Sequence, residues 1–273
     1  MLCDGAAVPV IFSLAYVASL VRIGVVKPVA ANVEHIRERM ARAATRAGRR
    51  PEDVRLVAVA KTFPAEAIRE AFACGVRHFG ENRVQEWEGK QPQLADLDAT
   101  WHLVGHLQSN KARRAVRLFH AIDSLDRVEL AQRLDRAIAE ELQGPNTEGT
   151  EAQRTQRRER KLQVLIEVRL APEETKTGVN PEELPQLAGG VLALAHLDLR
   201  GLMCIPPFLE DAEQARPYFR RLRELRDGLA RRLGKPLPEL SMGMSHDFEV
   251  AIEEGATQVR LGTAIFGERS TGI

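Results

Sequence analysis

Leu56-Val57-Ala58-Val59-Ala60-Lys61-Thr62 is the stretch on which the fold turns. Its apolar, β-branched run reads as a strand buried on both faces, and it stops abruptly at a lysine. Pro64 follows, and Ala65-Glu66-Ala67-Ile68-Arg69-Glu70-Ala71-Phe72 reads as a helix with proline near its first turn. A buried parallel strand feeding a helix is a βα unit, and α/β folds place their chemistry at the C-terminal ends of such strands. Lys61 stands at that end. Burial there disfavours an ammonium and exposes a neutral amine, which condenses with aldehydes. Taken alone, the stretch favours a lysine that snorkels to water. The rest of the chain must decide.

Working outward, Asn32 fits the N-cap of a helix, with Val33, Ile36, Met40, Ala43 and Ala44 on one face and Gly48 closing it. Downstream, strands are expected at 54–60, 76–79, 101–104, 121–122, 162–168, 199–205, 240–242 and 257–261. Helices are expected at 64–74, 110–119, 125–142, 181–194, 212–233 and 247–254, with another after Asn82. Strict alternation implies a parallel sheet, and eight βα units in this length suit a single closed (β/α)8 barrel with an extra N-terminal helix. An open doubly wound sheet would carry a glycine fingerprint after its first strand, where this chain has Lys61-Thr62-Phe63.

The 273 residues are 44% hydrophobic and 28% charged, enough for a sizeable core. Lys+Arg of 39 against Asp+Glu of 38 leaves a net charge of +1, so no global field steers the chain to nucleic acid or an anionic membrane. Any anionic ligand needs a local site. Cys3, Cys74 and Cys204 form neither a C-x-x-C motif nor a disulfide framework, which fits a reducing compartment. Cys74 and Cys204 read as packing residues.

Residues 6–21 are almost wholly apolar, yet short of the roughly 20 residues a spanning helix needs. Asp4 replaces a basic n-region. Residues 1–28 are therefore expected to be a dispensable extension, 29–273 the barrel, and about 143–160 an Arg-rich surface insertion with no interleaved aromatic residue.

In a barrel the loops after strands seven and eight commonly hold a phosphate. Here they read Ser241-Met242-Gly243-Met244-Ser245-His246 and Arg260-Leu261-Gly262-Thr263-Ala264. Small residues let backbone N–H groups approach an anion, and Ser245 and Thr263 add hydroxyl donors. Ser245 also stands where an N-cap would, before the helix expected from Asp247. An amine on strand one and a phosphate cradle opposite call for a ligand carrying both an aldehyde and a phosphate. Pyridoxal 5'-phosphate fits, with a ketose phosphate in a class I aldolase as competitor. An aldolase needs an acid/base residue near the lysine, and the sequence offers no convincing candidate.

Five motifs occur in order: Val57-Ala58-Val59-Ala60-Lys61-Thr62; Phe79-Gly80-Glu81-Asn82; Trp101-His102-Leu103-Val104-Gly105-His106-Leu107-Gln108-Ser109-Asn110-Lys111; Ser241-Met242-Gly243-Met244-Ser245; and Val259-Arg260-Leu261-Gly262-Thr263-Ala264-Ile265-Phe266-Gly267. Together they closely resemble pyridoxal phosphate homeostasis proteins of the YggS/PROSC type, over about residues 32–269. The resemblance implies a barrel like the N-terminal domain of alanine racemase, with the cofactor held as an internal aldimine on Lys61. It implies Asn82 beside the cofactor ring, Ser245, Gly262 and Thr263 on its phosphate, and Arg260 facing the pyridine nitrogen. The apolar leader, the Arg-rich insertion and Ala60, where the family often has serine, depart from the pattern without removing a ligand.

The function expected is a cytoplasmic carrier or buffer in pyridoxal phosphate homeostasis, with no catalytic residues and no metal. Possible recipients are pyridoxal-phosphate-dependent apoenzymes. No nucleic-acid or membrane partner is expected, and the chain should be a monomer or weak dimer. The alternative is an amino-acid racemase. Arg260 weighs against it, because a guanidinium at the pyridine nitrogen disfavours the protonation that makes the ring a strong electron sink. Racemisation also needs an acid/base on each face of the substrate carbon. In alanine racemase a tyrosine from a second domain serves one face, whereas this chain is expected to lack that domain and has only Tyr16 and Tyr218. His102 and His106 form an H-x3-H pair that straddles a strand end, where packing or hydrogen bonding near the barrel mouth is expected rather than a zinc site. Lys111, Arg113 and Arg114 read as a solvated helix face.

Overall fold

Apolar residues at helical spacing build α1 (Pro28–Arg46), which buries Val33, Ile36, Met40, Ala43 and Ala44. Each of the larger side chains contributes about 1.5–3 kcal/mol by leaving water. The computed structural model describes residues 28–143, 161–171 and 177–267. The leader before Pro28 and residues 144–160 of the insertion lie outside the described residues. Asn32 is not the N-cap: the helix begins four residues earlier, and Asn32 Nδ2 donates to the Ile265 carbonyl at 2.9 Å. Its amide ties the extra helix to the end of the barrel. Gly48, at φ 67°, ends the helix as expected.

Eight parallel strands close into a barrel in chain order: β1 (Arg55–Val59), β2 (His78–Glu81), β3 (Thr100–Leu103), β4 (Ala121–Leu125), β5 (Leu162–Glu167), β6 (Leu197–Met203), β7 (Glu239–Ser241) and β8 (Gln258–Leu261). β1 pairs with both β2 and β8, so no edge remains. The helices are α2 (Ala65–Ala73), α3 (Val84–Lys90), α4 (Ala112–Leu118), α5 (Val128–Gln143), α6 (Leu184–Leu192), α7 (Arg216–Leu233), α8 (Phe248–Glu253) and the short α9 (Thr263–Phe266).

The outward side of the sheet meets the helices in a continuous apolar layer. Phe79 stacks on Trp101, which stacks on Trp87 of α3 at a centroid distance of 3.6 Å. The buried Trp87 indole N–H donates to the Leu118 carbonyl at 2.9 Å. The inward side differs: His102, Asp123, Ser241, Gln258 and Arg260 are all buried there.

The boundary expected at β4 needs correction. The strand continues through Asp123 and Ser124 to Leu125, all buried, and the following helix starts only at Val128. Asp123 and Ser124 interrupt the apolar run, so the strand reads short. They are tolerated because both find partners: Ser124 Oγ donates to the Gly105 carbonyl at 2.7 Å, and Asp123 accepts from His102 and Gln258.

Candidate functional site

Alternation along β1 sets the position of Lys61. A Cβ built on Gly80 of β2 would lie 3.2 Å from Val57 Cγ1 and 3.2 Å from Val104 Cγ1, so Val57 and Val104 share the barrel interior with Gly80. With period 2, Val59 and then Lys61 continue that face. Lys61 is half-buried at the mouth, inside a turn closed by Phe63 N–H donating to the Ala60 carbonyl at 3.1 Å. Thr62 occupies the third turn position at φ 63°, the only positive φ of a non-glycine among the described residues. A β-branched residue there stores about 1–3 kcal/mol of strain. The Ala60 carbonyl has a second donor, Lys90 Nζ at 2.8 Å, and the same ammonium meets Glu81 Oε1 at 2.8 Å.

Asn82 follows β2 directly and is half-buried. The chain after β3 crosses so close to it that a Cβ on Gly105 would lie 2.4 Å from the Asn82 carbonyl oxygen. Glycine is required there by space.

The loops after β7 and β8 stand beside the Lys61 strand end and not opposite it, because β8 closes the barrel by pairing directly with β1. Gly243, at φ 92°, lies under α8, where a Cβ would come within 2.6 Å of Ala251 Cβ. Ser245 is not the cap of α8. The capping position is Asp247, whose Oδ1 accepts from Met244 N–H at 2.7 Å, while Ser245 Oγ accepts from Ala264 N–H at 3.3 Å. Ser245 is therefore turned toward the first turn of α9. Gly262 precedes that turn, with its Cβ position 3.3 Å from the Val59 carbonyl oxygen. Lys61 lies two residues beyond Val59, so its strand end and the Gly262-Thr263 turn are immediate neighbours. Ser245 is half-buried and Thr263 exposed. Lys61, Asn82, Ser245, Gly262 and Thr263 all stand on the loops at the C-terminal end of the barrel.

Arg260 points inward from β8 and is 4% exposed. Its Nη1 donates to Ser241 Oγ at 2.6 Å and its Nη2 to the Cys204 carbonyl at 2.8 Å. Burial pulls its pKa down, opposed by the Cys204, Asp123, Glu167 and Asp247 groups around it. A chain of polar contacts lies beneath it. Gln258 Nε2 donates to Ser241 Oγ at 2.9 Å and to Asp123 Oδ2 at 2.6 Å, His102 Nδ1 meets Asp123 Oδ1 at 3.2 Å, and His78 Nδ1 meets His102 Nε2 at 3.1 Å. Burial alone would raise the Asp123 carboxyl, but His102, Gln258 and Arg260 outweigh it and hold the group below its ordinary value. His102 thus lies in the barrel interior, deeper than the mouth position expected for it. His106 pairs separately with Asp126 at 3.2 Å.

Several site-adjacent residues were not legible as such. Asp123, Ser241 and Gln258 form the floor under Arg260. Glu81 and Lys90 flank the Lys61 turn, and Glu167, on the last position of β5, accepts from Thr177 Oγ1 at 2.9 Å. Burial raises the Glu167 carboxyl. A carboxylate inside an otherwise apolar strand, as in Asp123 and Glu167, is the available signal. Cys204 is inert: burial pushes its thiol up to about 12. A cavity of about 260 Å³ borders the mouth at Glu167, Arg169, Thr177 and Ile205. A larger one, about 730 Å³, lies outside the barrel among α3, α4 and α5, away from Lys61. Arg113 and Arg114 of α4 are exposed and pair with Glu141 and Glu88.

Residues 31–270 match the family model of the alanine racemase N-terminal domain. The eight-stranded parallel barrel is thus that of the alanine racemase N-terminal domain class. A pyridoxal phosphate homeostasis protein of Aquifex aeolicus is 47% identical over 237 residues, covering 87% of this chain and 96% of that protein. Its namesake from Pseudomonas aeruginosa is 46% identical over 245 residues, covering 89% and 97%. The structure of PipY from Synechococcus elongatus with PLP bound is 41% identical and aligns with a TM-score of 0.70 over 84% of this chain and 100% of that one. The chain belongs to the family of pyridoxal phosphate homeostasis proteins.

Proposed function

We propose that this protein binds pyridoxal 5'-phosphate covalently and reversibly through Lys61 and serves pyridoxal phosphate homeostasis as a carrier or buffer. The observation that carries the reading is how closely Gly262 approaches β1, where a Cβ on it would lie 3.3 Å from the Val59 carbonyl oxygen, so that a small-residue turn stands beside the strand end that bears the amine. The cofactor supplies an aldehyde, which condenses with the Lys61 amine as water leaves. Ser245 Oγ, the Thr263 hydroxyl and backbone N–H groups at Gly262 and Thr263 hold the phosphate. Arg260, anchored by Ser241 and the Cys204 carbonyl, would face the pyridine nitrogen and disfavour its protonation. Asn82 flanks the ring. PipY, solved with PLP bound, supports this reading, as do the names of the relatives.

The role is non-catalytic. A fixed cation at the ring nitrogen weakens the electron sink, and Tyr218 lies on α7, outside the barrel. The setting we infer is the cytoplasm, as a monomer or weak dimer that loads pyridoxal-phosphate-dependent apoenzymes and has neither nucleic acid nor membrane as partner. The balanced charge supports this, and no helix among the described residues is long and apolar enough to cross a membrane. Residues 29–273 carry the binding function. A chain shortened to begin at Val29 is expected to bind pyridoxal 5'-phosphate as tightly as the full chain in a fluorescence titration, and weaker binding would give the leader a role.

Borohydride reduction of the protein mixed with pyridoxal 5'-phosphate tests the central assignment. Peptide mapping should find the label on Lys61, and Lys61→Ala should lose it while keeping its circular dichroism. Label on Lys111 or Lys90 instead would overturn the reading.

A further inference from the structure

Lys90 ends α3, outside the ring of strands, yet its side chain is only 16% exposed. A lysine at a helix C-terminus ordinarily extends into water, where it also favours the helix dipole. This one turns inward and divides its donors between two acceptors, Glu81 Oε1 at 2.8 Å and the Ala60 carbonyl at 2.8 Å. Glu81 is fully buried, and its Oε2 has no hydrogen-bond partner. Burial raises the Glu81 carboxyl, Lys90 opposes that rise, and the neighbouring Glu86 adds to it. Lys90 is thus the cation that keeps a buried carboxylate tolerable.

Ala60 is the last residue before Lys61. Its N–H still continues the sheet by donating to the Gly80 carbonyl at 2.9 Å, whereas its carbonyl leaves the ladder and accepts from Phe63 N–H and Lys90 Nζ. The strained Thr62 lies inside that turn. Such a conformation persists only where its surroundings over-determine it, and Lys90 is the side chain that fastens its first residue. We propose that Lys90, fixed by Glu81, is a positioning residue that holds the Ala60–Phe63 turn and so aims the Lys61 amine into the barrel mouth. Lys90 acts through the Ala60 carbonyl. The inference rests on the reading that Lys61 takes the aldehyde of pyridoxal 5'-phosphate.

Lys90→Met removes the tether but leaves Glu81 as a buried, uncompensated carboxylate, which threatens folding by itself. The double variant Lys90→Met/Glu81→Gln relieves that charge and still lacks the tether. Three quantities are compared with the parent: the rate at which borohydride fixes pyridoxal 5'-phosphate on the Lys61 peptide, hydrogen exchange at the Phe63 amide, and the melting temperature. In the folded double variant, labelling should slow by roughly ten- to a hundredfold, the scale on which a misaimed reacting group loses rate. Exchange at Phe63 should quicken, because the turn bond it reports is no longer braced. A general loss of stability would lower the melting temperature without singling out that amide. Labelling within about twofold of the parent, or unchanged exchange at Phe63, would overturn the proposal. A parent protein that takes no label on Lys61 would sink the cofactor reading itself, and this inference with it.

Discussion

His78 offers a sharp test of the electrostatics inside the barrel. Burial, with the neighbouring His102 and Arg55, holds its pKa down at about 3, against 6.5 for a free imidazole. Below pH 6.5 the unfolded chain takes up a proton there that the folded chain refuses until about pH 3, so stability falls as the solution is acidified through that window. Fully expressed, the gap corresponds to about 5 kcal/mol, of which about 3 kcal/mol would be lost by pH 4. His78 is only half-buried, and solvent screening reduces the figure at pH 4 to about 1.5 kcal/mol. Glu81, Glu167 and Asp247 work in the opposite sense: their carboxyls are raised, so they stabilise the fold as pH drops toward 4. A difference measurement is therefore needed. His78→Gln keeps an amide donor for His102 Nε2 and removes the titration. Urea unfolding of parent and variant should show the parent losing about 1.5 kcal/mol more than the variant between about pH 7.5 and 4, whatever their difference at neutral pH. Parallel curves would refute the argument that His78 is held neutral by its site.

Two further outcomes bear on function. Ser245→Ala and Thr263→Ala each remove a hydroxyl from the proposed phosphate cradle, worth roughly 1.5–3 kcal/mol against a charged group, so pyridoxal 5'-phosphate affinity should fall about ten- to a hundredfold. Pyridoxal without phosphate should be nearly indifferent to both changes, and equal losses for the two ligands would count against phosphate contact. Incubation with L-alanine in deuterium oxide, followed by chiral chromatography, should show no sustained turnover to the D-enantiomer. Turnover approaching the enzyme median of about 10 s⁻¹, and lost in Lys61→Ala, would make the protein a racemase.

The barrel was legible because strands such as β1 and β5 are mainly apolar and alternate with helical segments, and because Lys61 and the Ser241–Ser245 and Arg260–Ala264 stretches fall at or beside the C-terminal strand ends of a (β/α)8 fold. Local signals failed where a side chain serves a distant partner. Asn32 resembles a helix cap but is spent on Ile265, and Ser245 resembles one but turns to Ala264. Asp123 looked like the end of a strand because its partner Gln258 lies 135 residues away. Lys90 carries no local signal either, since one of its acceptors, the Ala60 carbonyl, lies 30 residues away. Periodicity reports which face a residue takes, and it carries no information about which polar group waits on the other side.

Closure of the sheet by β8 on β1 also orders events in time. Lys61 leaves the ribosome some 200 residues ahead of Gly262 and Thr263, the count following from their positions. The Gly262–Val59 approach and the Ser245–Ala264 bond exist only once the last strand has docked beside the first. That pairing carries the longest sequence separation in the sheet, so it bears a large share of the loop-closure entropy and belongs late in folding. A nascent chain therefore displays the Lys61 amine long before the proposed phosphate cradle can form. On the proposed reading, cofactor capture during synthesis would be a chemical clock for ring closure, one that starts only once β8 and the turn after it have been made.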